Sequence, residues 1–141
     1  MTRRWTARLI RHRRAAVAVC VTGYVAAFAA THLPLPELPP LPRDSDKGMH
    51  VMGYLVLGLL LQAALLANTR LAPAARAVLS VGVLAVYGAI DELTQPWVNR
   101  HASWADWIGN LVGAGIAAAG FYLATRRSAE RMAHSADTDR A

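Results

Sequence analysis

Between Tyr87 and Asn110 the chain reads YGAIDELTQPWVNRHASWADWIGN and gathers Asp91, Glu92, Gln95, Arg100, Asp106 and Asn110. An earlier stretch, DKGMHVMGY, carries Asp46, Lys47, His50 and Tyr54. Carboxylates with a histidine can supply a general acid, a general base and a divalent metal site. His50 with Asp91 or Asp106 is the natural proton-transfer pair, because a carboxylate orients the imidazole. Lys47 and Arg100 could neutralise a phosphate. The catalytic candidates are His50, Asp91, Glu92 and Asp106. The spacing matches no H-E-x-x-H, no P-loop and no G-x-S-x-G, so it assigns no metal ligands and no cofactor.

Asp91 and Glu92 follow the apolar run AVLSVGVLAVYGAI (77–90) without a spacer. Ionisable groups at the edge of a membrane segment are costly to hold there and are functional candidates for that reason. Those fourteen residues rise only about 21 Å, short of about 30 Å of hydrocarbon, so the helix must extend. Pro73 permits a start near Ala74, and Pro96 discourages helix at Gln95. A helix over about 74–94 sets both carboxylates in its last turn, with Tyr87, Asp91 and Gln95 on one stripe if that turn persists.

Three further apolar segments surround this one. Residues 15–33 (AAVAVCVTGYVAAFAATHL) cover about 28 Å as a helix. Ala27-Phe28-Ala29 also fits a signal-cleavage site, a competing reading of this segment. Residues 49–67 form a second span, on which Asp46, His50 and Tyr54 recur every four residues and share a stripe at its start. Taken alone, Asp46 there would serve the helix N-terminus and Lys47 would snorkel. Residues 107–125 form the fourth span. Ser103-x-x-Asp106 fits a capping box at its start, and Asn110, Gly113, Ala117 and Gly120 make a narrow face for close helix packing. Proline-rich 34–45 is an extended connection, 68–76 a short polar turn, and 97–106 a tryptophan-bearing loop suited to a membrane surface.

Composition agrees with this layout. Apolar residues make up 55% of the chain and charged residues 17%, and the apolar ones come in blocks rather than at the period of a soluble helix or strand. The net charge of +6 does not indicate nucleic acid, because the basic residues flank apolar blocks and form no basic face. The single cysteine, Cys20, excludes an intrachain disulfide and a cysteine metal cluster. The expected architecture is all-α: an integral membrane bundle of four transmembrane helices (residues 15–125) between a basic segment (1–14) and a polar tail (126–141) that leaves the helix after its first turn.

Four spans place both termini on one side. Twelve of the fifteen Lys and Arg residues fall there, against Arg43, Lys47 and Arg100 on the other side. Cytoplasmic loops carry the excess of Lys and Arg, so both termini are expected in the cytoplasm of a bacterial plasma membrane. Asp46, Lys47, His50, Asp91, Glu92, Gln95, Arg100 and Asp106 then converge on the extracytoplasmic side. That side carries six acids against three bases.

Asp46-Lys47-x-x-His50 with Tyr54, then Asp91-Glu92-x-x-Gln95, Arg100 and Asp106-x-x-x-Asn110-x-x-Gly113, resembles the VanZ-like family of small bacterial membrane proteins over about residues 46–125. The resemblance implies a multi-span bundle with a polar outer site, in a family some of whose members are associated with resistance to the glycopeptide teicoplanin. The leading reading is a non-catalytic binding protein whose excess acid holds a cationic ligand, a lipid head group or a glycopeptide. The alternative is a membrane enzyme acting on a lipid-linked or cell-wall precursor. Transport by one copy is disfavoured, because the acids lie at one mouth and the span interiors carry no charged residue.

Overall fold

A computed structural model describes residues 8, 10–32, 45–98 and 100–138, with backbone alone for 45, 46 and 128–138. The proline-rich connection and most of the basic N-terminal segment lie outside the described residues. Most of those described are helical, and four helices are long and apolar enough to cross a membrane, which suggests a multi-pass membrane protein. They are α1 (Arg13–His32), α2 (Ser45–Asn68), α3 (Pro73–Thr94) and α4 (Trp104–Thr138), with a 3-10 turn at Gln95–Val98 after α3.

Local chemistry sets the ends. Pro73 occupies the first turn of α3, where its missing N–H costs nothing. The Asn68 and Thr69 side chains donate to the Ala64 and Leu65 carbonyls and close α2. α3 ends at Thr94, as Pro96 predicts, while Gln95 keeps helical dihedrals, its N–H bonds Asp91 O, and the chain tightens there into the 3-10 turn. The polar tail does not leave the helix after one turn either, because the α4 backbone runs on to Thr138.

The helices alternate in direction. Gly23 of α1 lies against Leu57 and Leu60 of α2, and Gly58 of α2 lies against Leu84 of α3 and Ala117 of α4. The α2–α4 interface is the most extensive, and α1 leans mainly on α2. Small residues make the close approach possible. A Cβ at Gly113 would overlap the Val51 carbonyl oxygen, and one at Gly58 would sit 2.6 Å from the Ala117 Cβ. The packed face of α4 runs through Asn110, Gly113, Ala114, Ala117 and Ala118 to Phe121. Gly120, expected on that face, is exposed with nothing near it. Large apolar side chains such as Met52, Val56, Val78, Val86, Val112 and Ile116 point outward. Helices apolar on their outer surface belong in lipid rather than in water.

The buried stripe of α3 reads Arg76, Ser80, Leu84, Gly88, Asp91 and Glu92, and Gln95 continues it in the 3-10 turn. It is polar at both ends and apolar at its middle. Arg76, expected in a turn, is inside the helix and only 3% exposed; it donates to Thr125 Oγ1 at 3.5 Å and lies over the Phe121 ring. Arg76 thus lies in the packed first turn of α3 rather than in the connection before it, because α3 begins at Pro73.

Candidate functional site

Asp91 and Glu92 are adjacent, so their side chains leave α3 about 100° apart. That angle separates them into two clusters at one end of the bundle. Both carboxylates are buried, at 1% and 5% exposure.

Asp91 faces α1. Thr31 Oγ1 donates to its Oδ1 at 2.6 Å, and His32 Nδ1 lies 3.6 Å from the same oxygen. His32 also stacks on Phe28, and its Nε2 is 2.8 Å from Thr94 Oγ1. Arg100 donates to the Thr31 carbonyl at 3.3 Å, so its guanidinium caps α1 instead of meeting a carboxylate among the described residues. Tyr87 joins the same seam by donating to the Tyr24 carbonyl. Thr31 and His32 were not singled out from sequence. The available signal was their position: a polar pair closing the first span at the end where Asp91 closes the third.

Glu92 faces the other way, toward α2 and α4. One ligand atom each from His50, Glu92 and Asp106 lie within 4.8 Å of one another. The start of α4 explains how Asp106 is free to take part. Ser103 Oγ accepts the Asp106 N–H at 3.3 Å, which is half of a capping box. In the complete box the acid three residues on would accept the Ser103 N–H; here Glu92 Oε2 accepts it at 2.9 Å. The acid from α3 thus closes the cap of α4, and the Asp106 carboxylate is released toward His50. The second carboxylate oxygen of Glu92 is buried without a hydrogen-bond partner among the described residues.

Asn110, 1% exposed, holds His50 from below. Its Oδ1 lies 3.0 Å from His50 Nδ1. An amide oxygen only accepts, so the Nδ1–H of His50 donates to it. Asn110 Nδ2 and Tyr54 OH both come close to Gly88, where a Cβ would lie 3.3 and 3.1 Å from them. Gly88 is the gap in α3 that admits these two side chains.

The remaining predicted positions are placed as follows. Tyr54 and Gln95 are buried, Lys47 is exposed in the first turn of α2, and the Asp46 side chain lies outside the described residues. His50 meets Asp106 and not Asp91, which pairs with His32.

Beside this cluster is a groove of about 390 Å³ lined by Ala89, Glu92, Leu93, Ala102, Ser103, Trp104 and Trp107. Its walls are mostly apolar, and Trp107 Nε1 is anchored on the Ala85 carbonyl. Leu93 and Trp104 stand at its open side, 72% and 81% exposed. Comparison with known proteins finds no matching family model, no matching curated protein and no matching solved structure.

Proposed function

We propose that this chain is a VanZ-like multi-pass membrane protein that binds an amphiphilic component of the bacterial cell envelope at the extracytoplasmic boundary of the plasma membrane. One observation carries the reading: Glu92 belongs both to the wall of the apolar groove and to the His50–Asp106 cluster. An apolar chain lying between Trp104, Trp107 and Leu93 brings its polar head to two carboxylates and an imidazole. Such a head is cationic or arrives with a cation. Trp97 and Trp104, both strongly exposed, fit the headgroup level of a bilayer, where tryptophan concentrates. Holding an envelope lipid, or a glycopeptide with its own acyl chain, alters access of teicoplanin to its target.

The test uses a teicoplanin-sensitive bacterium expressing the chain. Ala89→Phe fills the groove, and Glu92→Gln removes the shared carboxylate. Both are expected to abolish added tolerance at unchanged protein level, and both should lose the co-purifying amphiphile seen by native mass spectrometry. Wild-type chain that retains no amphiphile would sink the reading.

A second reading, an enzyme acting on a lipid-linked or cell-wall precursor, draws support from Asn110. Asn110 Oδ1 fixes the His50 ring through Nδ1 and holds it beside the Glu92 and Asp106 carboxylates. Release of phosphate from a lipid phosphate by purified protein, lost in His50→Gln, would favour it over simple binding.

A further inference from the structure

We infer that His50, Glu92 and Asp106 form a binding site for one divalent transition-metal ion of the zinc type. This rests on the reading that this end of the bundle is a binding site, and it names the cation held there.

The first argument is composition and reach. Imidazole nitrogen and carboxylate oxygen both ligate zinc, and three protein ligands leave the fourth tetrahedral position open. In a tetrahedral site, ligand atoms about 2.1 Å from the metal are about 3.4 Å apart. The three atoms lie within 4.8 Å of one another, so side-chain movements of about an ångström complete the set.

The second argument is independent of the cluster. The unbonded oxygen of Glu92 is buried, on a residue 95% covered. Leaving a buried carboxylate oxygen without a partner is costly, and a bound cation removes that cost. Two carboxylates this close in apolar surroundings also repel, and a divalent ion neutralises both.

The third argument is the supporting shell. Metal-bound histidines characteristically donate their other ring N–H to a fixed acceptor, which sets the tautomer and the ring orientation. Asn110 Oδ1 supplies that acceptor from a fully packed position on α4. Glu92 is fixed in turn by the Ser103 N–H. The three ligands come from three different helices, so the ion ties α2, α3 and α4 at one end. Its open coordination position takes an oxygen of the head group whose chain lies in the groove.

The experiment uses the full chain in detergent, stripped with a chelator and titrated with Zn²⁺ alone by calorimetry, with bound metal counted by elemental analysis. One ion per chain is expected. His50→Gln, Glu92→Gln and Asp106→Asn should each weaken binding by more than about 100-fold, beyond the 10–100-fold typical of losing a supporting residue. Asn110→Ala should fall within that 10–100-fold range, and Asp91→Asn should bind as wild type. Helical circular dichroism confirms the fold of each variant. A readout on the unaltered chain guards against variants that fail to fold: Co²⁺ should give tetrahedral-type visible bands that Zn²⁺ removes, and Zn²⁺ should raise the Tm. No saturable Zn²⁺ uptake by wild type, or equal uptake by folded His50, Glu92 and Asp106 variants, overturns the inference. The two proposals separate cleanly. Amphiphile retained by a chain that binds no Zn²⁺ removes the metal site and keeps the proposed function. One Zn²⁺ per chain without amphiphile does the reverse.

Discussion

Two neighbouring carboxylates do different work because a helix turns them apart. Asp91 is consumed by Thr31 and His32 on α1. Glu92 caps α4 with one oxygen, and its carboxylate lies in a cluster with His50 and Asp106. The consequence is a pair of opposite phenotypes. Asp91→Asn replaces a hydrogen bond to a charged group by a neutral one, and should lower unfolding free energy by about 1 kcal/mol with Zn²⁺ affinity unchanged. Glu92→Gln should lose Zn²⁺ binding. Denaturant titration and calorimetry on the same samples check both, and a loss of Zn²⁺ affinity in Asp91→Asn would merge the two clusters into one. The sequence placed both acids at the end of a span. It could not tell which neighbour each would face, because that depends on where α1, α2 and α4 stand around α3.

Among the elements, α4 shows most plainly how packing selects among similar residues. Gly113 and Gly120 sit in the same apolar span, and both looked like members of one small face. Only Gly113 is pressed against a neighbour, the backbone of Val51; Gly120 faces open space. Gly113→Ala forces α2 and α4 apart, and overpacking of this kind costs about 1–3 kcal/mol. Gly120→Ala gains helix propensity without a clash, with an expected change of at most about +1 kcal/mol in stability. Thermal unfolding of both variants in one detergent measures the difference; equal destabilisation would contradict the α2–α4 contact. Because a Cβ on Gly109 would lie 3.6 Å from the His50 Cβ, the same close approach brings His50 within reach of Asn110 and Asp106. Element positions were legible from apolar runs and from Pro73. The continuation of α4 to Thr138 was not, since a polar helix beyond the apolar span carries no hydropathy signal.

On the scale of the whole bundle, polar layers lie toward both ends and an apolar layer lies between them. Tyr54 and Asn110 border the site, Gly58, Leu84 and Ala117 fill the middle, and Gln62, Ser80 and Arg76 lie toward the other end. Leu84 is fully buried, so the middle layer interrupts any chain of polar side chains along α3. The proposed orientation sets the site end outside the cell. In a Cys20→Ala background, a membrane-impermeant maleimide added to intact cells should label Ala102→Cys, in the α3–α4 connection. It should label Arg70→Cys, in the α2–α3 connection, only after permeabilisation. Both native side chains are exposed. The reverse labelling pattern would invert the protein in the membrane and end the extracytoplasmic reading.

By itself the sequence determined the number and class of the long helices, because blocks of apolar residues with proline at their borders leave the backbone little choice in an apolar medium. It also determined that His50, Asp91, Glu92, Asp106 and Asn110 stand at one end, because alternating spans return them to the same level. Only the tertiary structure decided the partners. The rotation of each helix about its axis is set by contacts such as Gly113 on Val51 and Gly88 on Tyr54, and no periodicity within one segment encodes it. That rotation sends Asp91 to His32 and Glu92 to His50. It buries Arg76, and it leaves the Asp106 carboxylate free by giving its capping role to a residue of another helix.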